Sequence, residues 1–270
     1  MNSDSACQPG TAAQALARRE CRIIARALAR KRNVHAAVHS ARKAIRRLRS
    51  LLALVKHRFD EVAPIDRRLQ KLGDGLSALR DAHVTVDVAQ ALAARDGTGR
   101  WQPAIDFLVE RRDRSMARAL AADPGFRRRQ AIVERVAADL EALDWRRLKR
   151  SDLRAALRLG QARLAKAEKR ARQDPSPQNL HRFRRRVRRL RMQRDALGVI
   201  APEIAGTSGK PAADKQAKAL RKLSDRLGWL QDLRSVRNLL RRAPGIPDRG
   251  ALLLQLHREM ESNAMFAPHR

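Results

Sequence analysis

Two short segments hold the residues best able to do chemistry. The first reads Val38-His39-Ser40-Ala41-Arg42-Lys43-Ala44-Ile45-Arg46-Arg47-Leu48-Arg49, and the second reads Leu180-His181-Arg182-Phe183-Arg184-Arg185-Arg186-Val187-Arg188-Arg189-Leu190-Arg191. Arginine presents a planar fork of donors that matches a phosphate group in two-point contact. Histidine adds a donor whose charged form an adjacent anion favours. The chemistry these types support is the binding of phosphate oxyanions. A run of charge on a solvated face is the plainer explanation of either segment alone.

The spacing places both segments on helices. At about 100° per residue, His39 falls near the middle of a basic arc holding Arg42, Lys43, Arg46, Arg47 and Arg49. Ile45, Leu48, Leu52 and Val55 fall on the opposite arc, which faces a core. Arg184, Arg185, Arg188, Arg189 and Arg191 repeat the basic arc around His181. From His39 to Arg49 the stripe extends about 15 Å, long enough for several successive phosphates. Like charges at i,i+4, such as Arg42 and Arg46, weaken a helix by a few tenths of a kcal/mol. Keeping several such pairs twice over favours a ligand that uses them.

His181 follows His39 by 142 residues, with the main basic and aliphatic positions in register. A second pair of motifs follows in the same order. Leu69-Gln70-Lys71-Leu72 continues to Leu76, Leu79 and Asp81, and Leu220-Arg221-Lys222-Leu223 continues to Leu227, Leu230 and Asp232. This second offset is 151, so the later half carries about nine extra residues, which 206–214 accommodate. The chain reads as a duplicated helical unit forming two bundles related by a pseudo-two-fold axis. Set face to face, the two stripes line a cationic channel or groove, where the field concentrates anions.

Ala, Leu and Arg dominate, and Pro, Gly and Asp punctuate the chain. Helices are predicted at Ala12–Lys31, His35–Phe59, Ile65–Ala94, Trp101–Ala121 and Phe126–Leu143. The second set is Asp152–Arg172, Pro177–Ile200, Ala212–Arg242 and Asp248–Asn263, with kinks expected near Asp81 and Asp232. The fold class is therefore all-α, in a single domain over 12–270. Its halves span about 12–145 and 150–263, joined at Trp145–Arg150, behind a polar tail at 1–11. Trp101, Trp145 and Trp229 are expected to anchor the core or the joint rather than to stack bases. For Asp81 and Asp232 two roles stand open: holding stripe arginines by charge-assisted hydrogen bonds, or capping a helix at a kink.

Composition narrows the partners. Lys and Arg number 60 against 28 Asp and Glu, a net charge of +32, which calls for a polyanionic partner. An apolar fraction of 43% at helical spacing excludes a disordered chain. Cys7 and Cys21 are too few for a disulfide framework and lack metal-site spacing. Met1 to Gly10 lacks the order of a signal peptide, and no apolar run approaches the roughly 18 residues of a membrane span, so a cytoplasmic protein is expected. His35 and His39 have the i,i+4 spacing of a metal pair, but Pro177 replaces the first in the second half and arginines repel a cation; no metal is expected. There is no Gly-rich phosphate loop, Mg²⁺-binding carboxylate cluster or nucleophile–base constellation. The reading is of a non-enzyme without a cofactor.

The His-x-x-Arg-(Arg/Lys)-x-(Ile/Val)-Arg-Arg-Leu-Arg segments, each followed by a Leu-x-x-Leu…Asp segment, resemble the CHAD domain, a histidine-containing α-helical domain. The likeness covers about Ala15 to Leu256. It implies two four-helix bundles around a basic central pore, binding of inorganic polyphosphate and, in some members, association with polyphosphate or storage granules. By motif position the pore residues are His39, Arg42, Lys43, Arg46, Arg47 and Arg49, with His181, Arg184, Arg185, Arg188, Arg189 and Arg191 opposite, Lys71 and Lys222 joining from the third helices. Gly228 fits the family's Leu-Gly step but Ser77 stands at its first-half counterpart, and Met192 replaces a frequent aromatic. The family is often fused to a triphosphate-processing tunnel domain. No alternating Glu-x-Glu-x-Lys signature of it occurs, so a stand-alone module is expected. The expected function is non-catalytic polyphosphate binding. RNA or DNA binding by the same surface is the alternative, disfavoured by 3% aromatics and no Tyr. A granule scaffold would share the first chemistry.

Overall fold

The structure, a computed structural model, describes residues 8–205 and 211–264. Among them the chain forms helices and turns and no strand. The first helices are α1 (Pro9–Leu28), α2 (Val34–Val55), α3 (Val62–Gly75), α4 (Ser77–Asp96), α5 (Gln102–Ala122) and α6 (Arg127–Glu141). After a 3₁₀ turn at Trp145–Arg147 come α7 (Arg150–Gln173), α8 (Pro177–Ile200), the short α9 (Pro202–Ala205), α10 (Pro211–Arg241) and α11 (Arg249–Ser262).

Three expectations need correction. Helix α1 starts at Pro9, inside the supposed tail, because proline at the first position needs no hydrogen-bonded N–H. The predicted third helix is two: the backbone breaks at Leu76, beside Gly75, five residues before the expected kink at Asp81. Its counterpart α10 runs helical through Asp232, so no break marks that residue. Cys7 and most of the 206–214 insertion lie outside the described residues.

Leucines, valines and alanines at three- and four-residue steps give each helix one apolar stripe, and the stripes meet in two cores. The larger joins α1, α2, α3, α6, α7, α8 and the start of α10, through residues such as Ile24, Leu48, Leu69, Val136, Leu153, Val187 and Leu227. The smaller joins α4 and α5 to the end of α10 and α11, through Leu92, Trp101, Leu108, Leu233, Leu240 and Leu256. Both draw helices from before and after the Trp145–Arg150 joint. Trp101 is fully buried, its Nε1 donating to Gln255 Oε1 at 2.8 Å. Trp145 is buried at the joint against Phe59 and donates to the Leu140 carbonyl at 2.8 Å. Trp229 lies half-buried beneath Arg95.

Local chemistry fixes the helix ends that matter. Asp152 accepts from the Lys149 backbone N–H at 3.0 Å and closes a capping box at the start of α7. Buried Asp123 accepts from the Arg128 N–H and the Arg129 guanidinium, tying down the start of α6.

Candidate functional site

Helices α2, α8, α10 and α4 touch in a closed ring: α2 packs on α8, α8 on α10, α10 on α4, and α4 on α2. Each ring helix turns its apolar stripe to a core, which leaves its basic positions to meet their counterparts. Arg42 and Arg46 of α2 thereby come close to Arg184 and Arg188 of α8: Arg42 and Arg184 oppose the charge on Arg46, and Arg42, Arg46 and Arg184 oppose that on Arg188. Burial is the larger cause. With Arg42, Arg80, Arg184 and Arg191 it lowers Arg46 to about 10; with Arg46, Arg184, Arg42 and Arg80 it lowers Arg188 to about 9.

Neither the Arg46 nor the Arg188 guanidinium has a hydrogen-bond or ion-pair partner among the described residues; both side chains are half-buried, and the Arg46 Nε is fully buried without an acceptor. Charge drawn part-way out of water without a protein partner is costly, and native structures seldom keep it idle. The other ring arginines are braced. Arg42 donates to the Gly73 carbonyl and, at 2.6 Å, to Ser77 Oγ, occupying the acceptors around the α3–α4 break. Its repeat counterpart Arg184 lies against Gly228, where a Cβ would sit 3.8 Å from Nη2. The Ser77/Gly228 difference thus accompanies two ways of seating the same guanidinium.

Arg80 of α4, which the repeat does not single out because Gln231 stands at its counterpart, is the hub of the ring. It donates to Asp81 at 3.1 Å and to Asp232 of α10 at 3.2 Å. Asp232 also favours the charged form of Arg184. Asp232 therefore holds ring arginines rather than capping a kink. Asp81 does so from a more exposed position.

A cavity of about 590 Å³ opens from this ring between α2, α3, α7 and α8. Arg46 and Arg188 line it, joined by Arg49, Arg185 and Arg189 from the predicted stripes. Arg163, Lys166 and Arg170 of α7, with Arg182 and Arg186 of α8, complete it. Asp66 is the one acid in the wall, and it is bound to Arg49 by hydrogen bonds of 2.6 and 3.2 Å. Met192 also faces this cavity.

Other stripe residues lie at the margins. Arg191 stands 3.8 Å from Asp225 of α10, much as Arg49 is tied to Asp66. His39, Lys43 and His181 are exposed. Partial desolvation holds both imidazoles below the usual histidine value, reinforced by Arg46 at His39 and by Arg185 at His181. Lys71 and Lys222 are exposed, and no hydrogen bond or ion pair joins them to the ring.

Arg47 is not part of this constellation. It reaches α1, where Glu20, only 4% exposed, accepts two hydrogen bonds at 2.8 and 2.7 Å. The helical wheel put Arg47 at the edge of the basic arc, and a buried acid on the adjoining helix claims it. Glu20→Ala is expected to destabilise the protein by about 2 kcal/mol in urea unfolding. This is below the full penalty for breaking a buried pair, because Arg47 retains some access to water. Unchanged stability would show that the pair is not structural.

Among the described residues no group of three or more His, Cys, Asp or Glu could hold a metal ion. His35 stacks on His83 rather than pairing with His39, ring centroids 5.2 Å apart. No described helix is long and apolar enough to cross a membrane.

Against known proteins, this architecture has clear counterparts. PptA from Streptomyces chartreusis is similar over 94% of this chain and 95% of its own, at 19% identity and a TM-score of 0.68. The CHAD domain from the plant Ricinus communis is similar over 97% of this chain and 93% of its own, at 20% identity and a TM-score of 0.66. No curated protein matches in sequence. The CHAD domain family model matches residues 12–241, so the ring of basic helices is set in a chain that belongs to the CHAD domain family.

Proposed function

We propose that the protein binds inorganic polyphosphate without catalysis, in a cationic pore between two duplicated helical units. The observation that carries this reading is the pair Arg46 and Arg188: two half-buried guanidinium groups from matching positions, with no protein acceptor among the described residues. A linear polyanion supplies acceptors along the whole ring. The association of the CHAD family with polyphosphate supports the choice of ligand. The contributing residues are Arg42, Arg46, Arg80, Arg184, Arg185, Arg188 and Arg189, with Arg191, His39 and His181 at the margin and Asp81 and Asp232 as braces. Affinity comes from many phosphate contacts with counterion release, and falls steeply with salt.

Calorimetric titration of long-chain polyphosphate and a length-matched single-stranded RNA, at low and physiological salt, tests this. Wild type is expected to prefer polyphosphate at physiological salt, and Arg46→Met/Arg188→Met to lose that preference. Equal binding of RNA would make the protein a general polyanion binder instead. The buried Trp101 and Trp145 offer no stacking platform, which disfavours single-strand recognition.

The histidines give a pH signature. In the free protein their lowered values mean that the unfolded chain binds more protons. Their contribution to stability is full above about pH 6.5 and is lost as pH falls toward the folded value. A bound polyanion raises both values, so binding takes up protons and tightens in the same range. NMR titration of the two imidazoles should show upward shifts with polyphosphate. Superimposable curves would remove the histidines from the site.

A further inference from the structure

Helices α1 and α7 hold matching places, each packed along a stripe-bearing helix, α2 and α8 respectively. What they present there is opposite in charge. On α1, buried Glu20 neutralises Arg47. On α7, Arg163 stands close enough to Arg186 to oppose its charge, and lines the cavity together with Arg189, which matches Arg47 in the repeat. Lys166 and Arg170 continue the row at three and seven residues beyond Arg163, over about 10 Å of helix. Arg163, Arg186 and Arg189 make no hydrogen bond or ion pair among the described residues. A solvated charge run needs no second wall. Here two basic helix faces oppose each other across a cavity that opens directly from Arg46 and Arg188.

We propose that this cavity is a one-sided phosphate subsite. A linear polyphosphate leaves the ring past Arg46 and Arg188 and continues between α7 and α8, where Arg163, Lys166 and Arg170 hold its outer phosphates. The inference rests on the pore reading above and adds to it a direction and a length dependence. A short chain fills the ring alone; a longer one gains the α7 contacts, and only on that side.

Calorimetry with tripolyphosphate and long-chain polyphosphate, over a series of salt concentrations, tests the proposal in four variants. Arg163→Gln/Lys166→Gln/Arg170→Gln removes the row, and Arg163→Glu recreates on α7 the charge that Glu20 has on α1. Arg19→Gln/Arg22→Gln/Arg26→Gln removes the same charge from exposed positions of α1. Arg46→Met/Arg188→Met disables the ring.

Both α7 variants should weaken long-chain binding, the triple one by about tenfold or more, with a log–log salt slope shallower by about 2. Tripolyphosphate affinity should stay within about twofold, and the α1 variant should leave the long-chain salt slope unchanged. Equal losses in the α7 and α1 triple variants, or parallel losses for both ligands, would overturn the subsite and leave the ring intact. Undiminished tripolyphosphate binding by Arg46→Met/Arg188→Met would overturn the ring reading and the subsite with it.

Discussion

Arg46→Met/Arg188→Met should melt higher than wild type, by about 5 °C in calorimetry, and bind polyphosphate roughly a thousandfold more weakly. The two effects have one cause. In the free protein each guanidinium is drawn part-way out of water into a ring of like charges with no protein acceptor for compensation. Methionine keeps the aliphatic volume and removes the charge, a change worth about 2 kcal/mol of stability. In the proposed complex the same groups would donate to phosphate, each charged hydrogen bond contributing about 2 kcal/mol to affinity. Adding polyphosphate should therefore raise the wild-type melting point strongly and the variant's hardly at all. A variant that melts lower than wild type and still binds would show that these arginines serve packing alone.

The second large effect is expected at the joint. Gly10 lies in the first turn of α1, where a Cβ would stand 2.0 Å from the Trp145 carbonyl oxygen and 2.7 Å from its carbon. Both atoms are backbone, so no side chain can swing aside and the helix or the 3₁₀ turn must move. Alanine normally gains about 1 kcal/mol over glycine inside a helix. The overlap outweighs that gain, and Gly10→Ala should destabilise by about 3 kcal/mol in urea unfolding. Gly250 in α11 is the control, since a Cβ there meets nothing within 4 Å. Gly250→Ala should be neutral or slightly stabilising. Equal effects at the two positions would mean that α1 does not dock tightly on the joint.

The helices were legible because their signals are local: three- and four-residue apolar spacing, with proline and glycine at the boundaries. The break at Leu76 was misplaced because it depends on a distant side chain, Arg42, which occupies the Gly73 carbonyl and Ser77 hydroxyl beside it. The stripe arginines were legible through duplication, and that filter explains the omissions. Arg80 has Gln231 as its counterpart, and Arg163 stands on a helix whose partner bears Glu20, so a search for repeats passed over both. A scan of α7 for basic residues on one face would have found Arg163, Lys166 and Arg170. Arg47 erred in the other direction, since its acidic partner is 27 residues away in sequence and on another helix.

The smaller core has a consequence for how the molecule is made. Helices α4 and α5 close against α10 and α11, and the Trp101–Gln255 hydrogen bond spans 154 residues. As the chain emerges from the ribosome, the side chains of α4–α5 that build this core, such as Leu92 and Leu108, have no mate until α10 and α11 follow. The same late docking brings Asp232 to Arg80 and completes the ring. The cavity between α2, α3, α7 and α8 needs none of these later helices, so its arginines can be in place before Asp232 arrives to brace the ring from α10.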